Sequence, residues 1–239
     1  GIAEGATVKA AAGIDINAVT KQTIDVFAPQ VTAGAGAIGA SFVKISVENP
    51  DATETRAYIG DNAQIGQGVG VVGGLNMNAD STIDVTGEAF GVSVGAIAGS
   101  MNFAFVDVTP EVKAEIGASA DVKTSGDITV EAKSHMDAEA NVFGVAIGGG
   151  ALVASVAHVT LTPSIIAGFG ANAVINSTGG AVNLRARHNF GESKGAAAEA
   201  ISGSGGVVAG SGAFAVATDS AAVSTTSGVG SKVSAGAAI

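Results

Sequence analysis

Among its 239 residues the sequence contains no cysteine or tryptophan, one tyrosine and four prolines. The lack of cysteine excludes a disulfide framework and a thiolate metal site. Large side chains that could fill a thick globular interior are scarce, because alanine, valine and isoleucine supply most of the hydrophobic content. Small and β-branched side chains suit closely stacked strands around a narrow core.

Charge is also scarce, and most of it has one sign. Eleven basic residues stand against 21 acidic ones, which gives a formal net charge of -10. This balance argues against a nucleic-acid partner, because binding to phosphates requires a cationic surface. Two uncharged stretches, residues 140–157 and 200–218, consist largely of glycine, alanine and serine, so we expect no transmembrane segment.

What the sequence does contain is an internal repeat. One landmark is a glycine that recurs at nearly regular intervals, at Gly60, Gly117, Gly170 and Gly230. A second landmark ends an apolar run and recurs at similar intervals, at Pro50, Pro110, Pro163 and Ser220. Two landmarks that advance together predict four copies of one unit of about 53–60 residues. The predicted units are residues 14–74, 75–127, 128–181 and 182–239, which form a single elongated segment of a longer chain.

Within each unit, apolar residues alternate with polar ones. "GDITVEA" places Ile128, Val130 and Ala132 on one face of a strand, with Thr129 and Glu131 on the other. A repeat of about 53 residues divides into three portions of roughly 18, a suitable size for one coil of a β-solenoid. The sequence therefore predicts an all-β, parallel, right-handed β-helix (β-solenoid) of about 13 coils and on the order of 60 Å in length. A β-sandwich or blade array of antiparallel hairpins is the alternative.

The repeated phrase "AEIGASADVKTSGDITVEA", with strands such as "GVAIGGGALVASVAHV" between its copies, resembles the large filamentous haemagglutinin-like and leukotoxin-like adhesins of Gram-negative two-partner secretion systems. This resemblance implies a bacterial adhesin at the cell surface or secreted, which folds outside the outer membrane. The predicted stack of coils, with sheet hydrogen bonds along its axis, adds the expectation that the chain acts as a stiff structural spacer. The expected partners are the protein itself, through end-to-end or lateral assembly, or a host or surface receptor.

Two other functions remain open: a subunit of a self-assembling extracellular fibre, and a β-helix enzyme acting on polysaccharide. An enzyme would need acidic and basic groups close together. Lys133 and Arg187 are one repeat apart, as are Glu131 and Arg185. Three predicted coils would separate the members of each pair by roughly 14 Å, which is too far for joint chemistry. We therefore expect a non-enzymatic protein with no catalytic residues.

No cofactor or metal site is expected either. The histidines, at positions 135, 158 and 188, match no metal-ligand spacing. Calcium could bind Asp51 and Glu54 in "ENPDATET", but the glycine-rich calcium repeat is missing, which leaves calcium unsupported.

The most informative candidate surface is a strand that is apolar on both sides. Val106 and Val108 occupy one face of this strand while Phe103 and Phe105 occupy the other, and the third copy has Val156 and His158 at the equivalent places. Strands of this kind usually lie beneath a second layer. Either glycine- and alanine-rich segments of the same chain cover this face, or it is an exposed stripe for lateral contact.

Overall fold

The computed structural model describes residues 1–48, 54–67 and 71–237. Within these ranges the chain forms sixteen parallel β-strands and no helix, so the protein is all-β. In chain order the strands are β1 (Thr7–Val8), β2 (Ile14–Glu48), β3 (Thr55–Ile59), β4 (Gln64–Ile65), β5 (Leu75–Thr109), β6 (Glu111–Ile116), β7 (Asp121–Thr124) and β8 (Ile128–Ile147). They continue as β9 (Gly150–Leu161), β10 (Ser164–Phe169), β11 (Val174–Ser177), β12 (Val182–His188), β13 (Ala196–Gly205), β14 (Val208–Asp219), β15 (Ala222–Ser227) and β16 (Lys232–Ala235).

The strands form three sheets, and the chain visits the sheets in a fixed order. The long sheet contains β2, β5, β8, β9, β12, β13 and β14; a second sheet contains β3, β6, β10 and β15; a third contains β1, β4, β7, β11 and β16. After each long strand the chain enters the second sheet, then the third, and then returns to the long sheet beside the strand it left. We call one such circuit a pass.

One pass equals one repeat, which corrects the expectation of three coils per repeat. Val112 of β6 pairs with Thr55 of β3 and with Ile165 of β10, one repeat away in each direction. Side-chain contacts between neighbouring passes join residues as far as 61 positions apart. The chain therefore stacks four full passes, not about 13 coils, and the stack is about 15–20 Å high instead of about 60 Å.

In the long sheet each pass folds back on itself, within one strand in β2 and β5, and between β8 and β9 or β13 and β14 in the later passes. In β5 the first arm, residues 75–94, turns at Gly95 and returns as the second arm, residues 97–109. The inner sides of the two arms touch: the Ser93 hydroxyl donates to the Gly99 carbonyl at 2.7 Å, and a Cβ at Gly87 would lie 3.0 Å from Val106 Cγ2. Each pass thus has a wide base, where three sheets enclose the core, and a thin double-layered extension.

Side-chain size distinguishes the base from the extension. The base contains the large buried residues Ile65, Met77, Ile83, Ile116, Ile128, Met136, Leu161, Ile165 and Ile175, all almost inaccessible to solvent. Between the arms the inward residues are small, such as Ala89, Ala104, Gly144 and Ala157. The alternation predicted for "GDITVEA" is confirmed, because Ile128, Val130 and Ala132 are all fully buried.

The landmark glycines lie directly over one another at the corner between the second and third sheets. Gly117 N donates to Ile59 O, and Gly170 N donates to Ile116 O, both at 2.7 Å. A Cβ on Gly117 would lie 2.6 Å from the carbonyl carbon of Gly60, so only glycine fits so close a stack.

The fourth glycine landmark is wrong by two positions. Gly228, not Gly230, donates to Phe169 O at 2.7 Å and continues the column. Gly230 instead continues a column of left-handed residues, with φ of 75°, after Asn62 at 56°, Ser119 at 55° and Asn172 at 56°. The fourth copy has glycine at both places, which made the two columns indistinguishable by sequence.

The proline landmarks lie where the long sheet passes into the second sheet. Pro163 follows Pro110 in the next pass, and both are buried between strands whose ladders break there. A residue without an N–H is tolerated at such a junction. Pro50 lies outside the described residues, as does Asp51 of the weighed calcium loop.

Candidate functional site

The most distinctive surface of the molecule is the outer side of the second arm. We define the second-arm face as the outward side chains of residues 36–44, 97–105, 150–158 and 208–216. Seven large hydrophobic side chains on it are half or more exposed: Ile38, Phe42, Ile97, Met101, Leu152, Val208 and Phe214. In these four ranges the only ionisable side chains are Lys44 and His158.

The four residues predicted as a lateral stripe all lie on this face, on two neighbouring strands. Phe103 pairs in register with Val156, and Phe105 with His158. The Phe103 and Phe105 ring centroids are 6.4 Å apart and nearly parallel, while the His158 ring meets Phe105 edge-on at 6.2 Å. Phe42 of the preceding pass adds a third phenyl ring, 5.8 Å from Phe105.

No second layer made of described residues covers this face. The layer opposite each second arm is the first arm of the same pass, which covers only the inner side. Leu152 remains 67% exposed and Phe214 61%. The expectation that segments of the same chain fold over the doubly apolar strands is therefore wrong for the part of the chain that the structure describes.

Near the tip of the extension, where the first arm turns into the second, large residues alternate with glycine both along each strand and from pass to pass. Ile38, Gly99, Leu152 and Gly210 follow one another across the four passes, and the neighbouring column reads Gly36, Ile97, Gly150 and Val208. The resulting relief includes a hollow of about 360 Å³ over Gly99, walled by Ile38, Ile97, Met101 and Leu152.

Sequence reasoning missed this checkerboard. The apolar strand identified from the sequence extends from the proline landmark back only to residue 103 in the second copy. Before that point, glycines interrupt the alternation that marks a strand face. The signal was present: once the four copies are aligned in the register of the strand pairs, the large residues fall on alternate copies.

The outer side of the first arm is also apolar near the tip, but carboxylates accompany it. Phe90 and Phe143 stack with centroids 5.2 Å apart. The adjacent outward column contains Glu88 and Glu199, and Glu139 lies one column further toward the base. Near the tip the two faces of the extension therefore differ in charge, whereas further toward the base the second arm also carries an outward carboxylate, Asp107.

Comparison with known proteins adds no relative: no protein-family model matches the chain, and neither curated proteins nor solved structures provide a match. The case for function therefore depends on this chain's own geometry. In the described segments there is no helix long and apolar enough to cross a membrane.

The charged pairs expected to lie three coils apart are in fact direct neighbours. Arg187 pairs in register with Lys133, and Arg185 with Glu131. Arg187 Nε approaches a Glu131 oxygen at 3.4 Å, and Lys133 Nζ lies 3.0 Å from an Asp80 oxygen. These contacts link successive passes on an open outer face of the base, where partly exposed ion pairs add little to stability.

A serine, a histidine and an aspartate also line up at the end of the stack. Ser134 Oγ lies 2.8 Å from His188 Nδ1, and His188 Nε2 lies 3.8 Å from Asp219 Oδ1. Ser134 is only 1% exposed, so its hydroxyl has no access to a substrate in this arrangement. Burial lowers the pKa of His188, Asp219 opposes the shift, and the nearby His135 adds a smaller lowering.

The side chains that could bind a metal ion are also scattered. Across the described residues no three histidine or acidic side chains converge in a way that could hold a metal ion. Of the two residues weighed for calcium, Glu54 lies 3.8 Å from Lys113 Nζ and 3.9 Å from Arg56 Nε.

Proposed function

We propose that the chain is a segment of a β-solenoid that serves as a stiff structural spacer in a secreted or cell-surface bacterial filament of the adhesin type. The observation that carries this proposal is the register of the passes. Equivalent residues of successive repeats pair in parallel in all three sheets, so the hydrogen bonds between passes run along one axis.

Physical reasoning favours a spacer because each pass contacts mainly the passes before and after it. Stability in such an array is a sum of local terms, and length increases with every repeat that is added. The apolar second-arm face favours a surface that is contacted by a partner over one that performs chemistry.

A variant with residues 128–181 duplicated in tandem tests the architecture. In a solenoid the extra repeat stacks as one more pass, so the variant should fold, resist urea at least as well as the parent, and lengthen by about 4.8 Å in small-angle scattering. The same segment inserted in scrambled order is the control. If the duplicated variant aggregates or loses stability like the control, the solenoid proposal fails.

The cellular role needs a separate test. Antibodies raised against the chain should label intact cells of the bacterium that produces it, or its culture medium, without permeabilisation. Labelling found only after the cells are opened would contradict the surface or secreted location.

A self-assembling fibre subunit is a second candidate, because another copy of this chain can cover the edge of the last described pass as well as a further repeat can. In β14 the inward residues Ala213, Ala215 and Ala217 are exposed, and the strand pairs on one side only, with β9. An open edge with an uncovered apolar inner face can accept a further strand. Fibres that grow with protein concentration in electron micrographs would favour this candidate over a spacer.

A further inference from the structure

We propose that the second-arm face is a homodimer interface, in which two copies of this chain pack face to face with their sheets interdigitated. This inference goes beyond the spacer role, because a spacer needs no lateral partner.

The first support for a dimer is the shape of the face, in which protruding side chains alternate with hollows. Large residues separated by one glycine within a column stand two passes apart, about 9.6 Å, which leaves between them a gap one side chain wide. Gly99 occupies such a gap between Ile38 and Leu152. A second copy facing the first places its own Leu152 or Ile97 over the hollow, because both copies carry the same alternation. Two sheets joined in this way sit about 10 Å apart, as in sheet-on-sheet packing generally.

The second support for a dimer is the exposed apolar area of the second-arm face. Each of the seven exposed side chains on the second-arm face leaves on the order of 100 Å² accessible, so the face offers roughly 700–900 Å², close to the ~800 Å² per partner of a standard interface. This is more than isolated surface hydrophobic residues normally present.

The distribution of charge favours the second-arm face over the first-arm face as the dimer interface. It also favours a second copy of this chain over a charged partner. The first-arm face would bring Glu88 and Glu199 against the same carboxylates of another copy. The second-arm face has no carboxylate in its four ranges, and the carboxylates that follow on the same side of the strands, Glu48 and Asp107, lie beyond its margin toward the base. Two such faces therefore meet with like charges only at the rim.

Gly99→Leu tests the fit by filling the hollow. A Cβ at Gly99 would lie 3.7 Å from Ile38 Cγ1, an ordinary contact, and the open hollow above it leaves room for the rest of the leucine side chain. Leu152→Ser tests the protruding side chain and carries no risk to the core, because Leu152 is 67% exposed. Phe27→Ser is the matched control: it removes a 60% exposed side chain from the first-arm face.

Sedimentation equilibrium of the full chain, with circular dichroism to verify folding, provides the readout. The parent chain and Phe27→Ser should dimerise, whereas Leu152→Ser and Gly99→Leu should raise the dimer dissociation constant on the order of 30-fold or more.

A monomeric parent, or a dimer whose dissociation constant neither second-arm variant changes, would overturn the proposal. So would flotation of the monomer with phosphatidylcholine vesicles that depends on Leu152, which would assign the face to lipid. The tandem-duplication variant reports on the solenoid independently, so the two proposals can fail separately.

Discussion

Single residues at the corner of each pass adopt a backbone conformation that most side chains avoid. Asn62, Ser119 and Asn172 have φ between 55° and 56°, and Gly5 and Gly230 hold the same place in the outer passes. Asparagine and glycine tolerate this region, but serine does so less readily. Ser119 is therefore the strained member of the column.

Replacing Ser119 with glycine should stabilise the protein. Glycine removes the Cβ penalty of the left-handed region, and we expect the free energy of unfolding in urea to rise by about 0.5–1 kcal/mol. Ser119→Ala keeps the Cβ and serves as the control, with no gain expected. Equal effects of the two substitutions would show that the serine hydroxyl, not the backbone, determines stability there.

His188 links stability to pH. Its pKa is lowered by burial, so in the window just below the ordinary value of 6.5 the unfolded chain binds a proton that the folded chain refuses. The free energy of unfolding should thus fall as the pH drops below about 6.5, and it should lose part of this dependence in His188→Gln. Urea titrations from pH 7.5 to 5 measure the slope. If His188→Gln keeps the full parental slope, His188 is not responsible for the dependence.

The residue-level predictions from sequence had a clear limit. Phe103 and Phe105 lie in register with Val156 and His158, and sequence could group these four because a period of two along an unbroken strand needs no knowledge of the turns; their role in lateral contact stays a prediction. Ile38 and Leu152 were not found, because the residue two positions before each on the same strand face is a glycine, and their relation to one another exists only across passes. Gly230 was misplaced because two glycines two positions apart satisfy the same pattern.

Among the secondary-structure elements, the long strands are the feature that could not be predicted from the sequence. The division of each repeat into three short coils was made from the repeat length alone, and the glycine, alanine and serine residues near positions 87–100 conceal the long strand that runs through them. In the structure these residues lie within one 35-residue strand, β5, where they allow two arms to approach closely. Small side chains at inward positions thus have a packing role that single-sequence patterns do not separate from a turn.

Two glycines of this extension make a matched test of the narrow interior. Gly144 faces inward, and a Cβ there would lie 2.7 Å from Val153 Cγ1 and 2.8 Å from Ser155 Oγ. Gly150 has open space around the same position and no positive φ. We expect Gly144→Ala to lower the free energy of unfolding by about 1–3 kcal/mol through overpacking, while Gly150→Ala is neutral or slightly stabilising. Comparable losses in both variants would show that the arms do not pack as described.

At the scale of the whole molecule the stack is broader than it is high. A first arm of about 20 residues spans about 65 Å, whereas four passes rise only about 15–20 Å. All-β, parallel pairing could be predicted from the repeat interval and the alternation, because equivalent residues must bury equivalent faces. The proportions could not, because they depend on whether one repeat makes one circuit or three.

Position in the stack should also determine how firmly each strand is held. β5 has neighbours on both sides, and so do β8 and β9, whereas β2 pairs only with β5 and β14 only with β9. Passes at the ends of such an array open at lower free energy than those inside. In hydrogen exchange followed by mass spectrometry, amides of β5 and β8 should therefore exchange most slowly and those of β14 fastest, since its inward alanines are also exposed. Equal protection of β14 and β5 in the monomeric Gly99→Leu variant would contradict an open end and indicate that the last pass is covered.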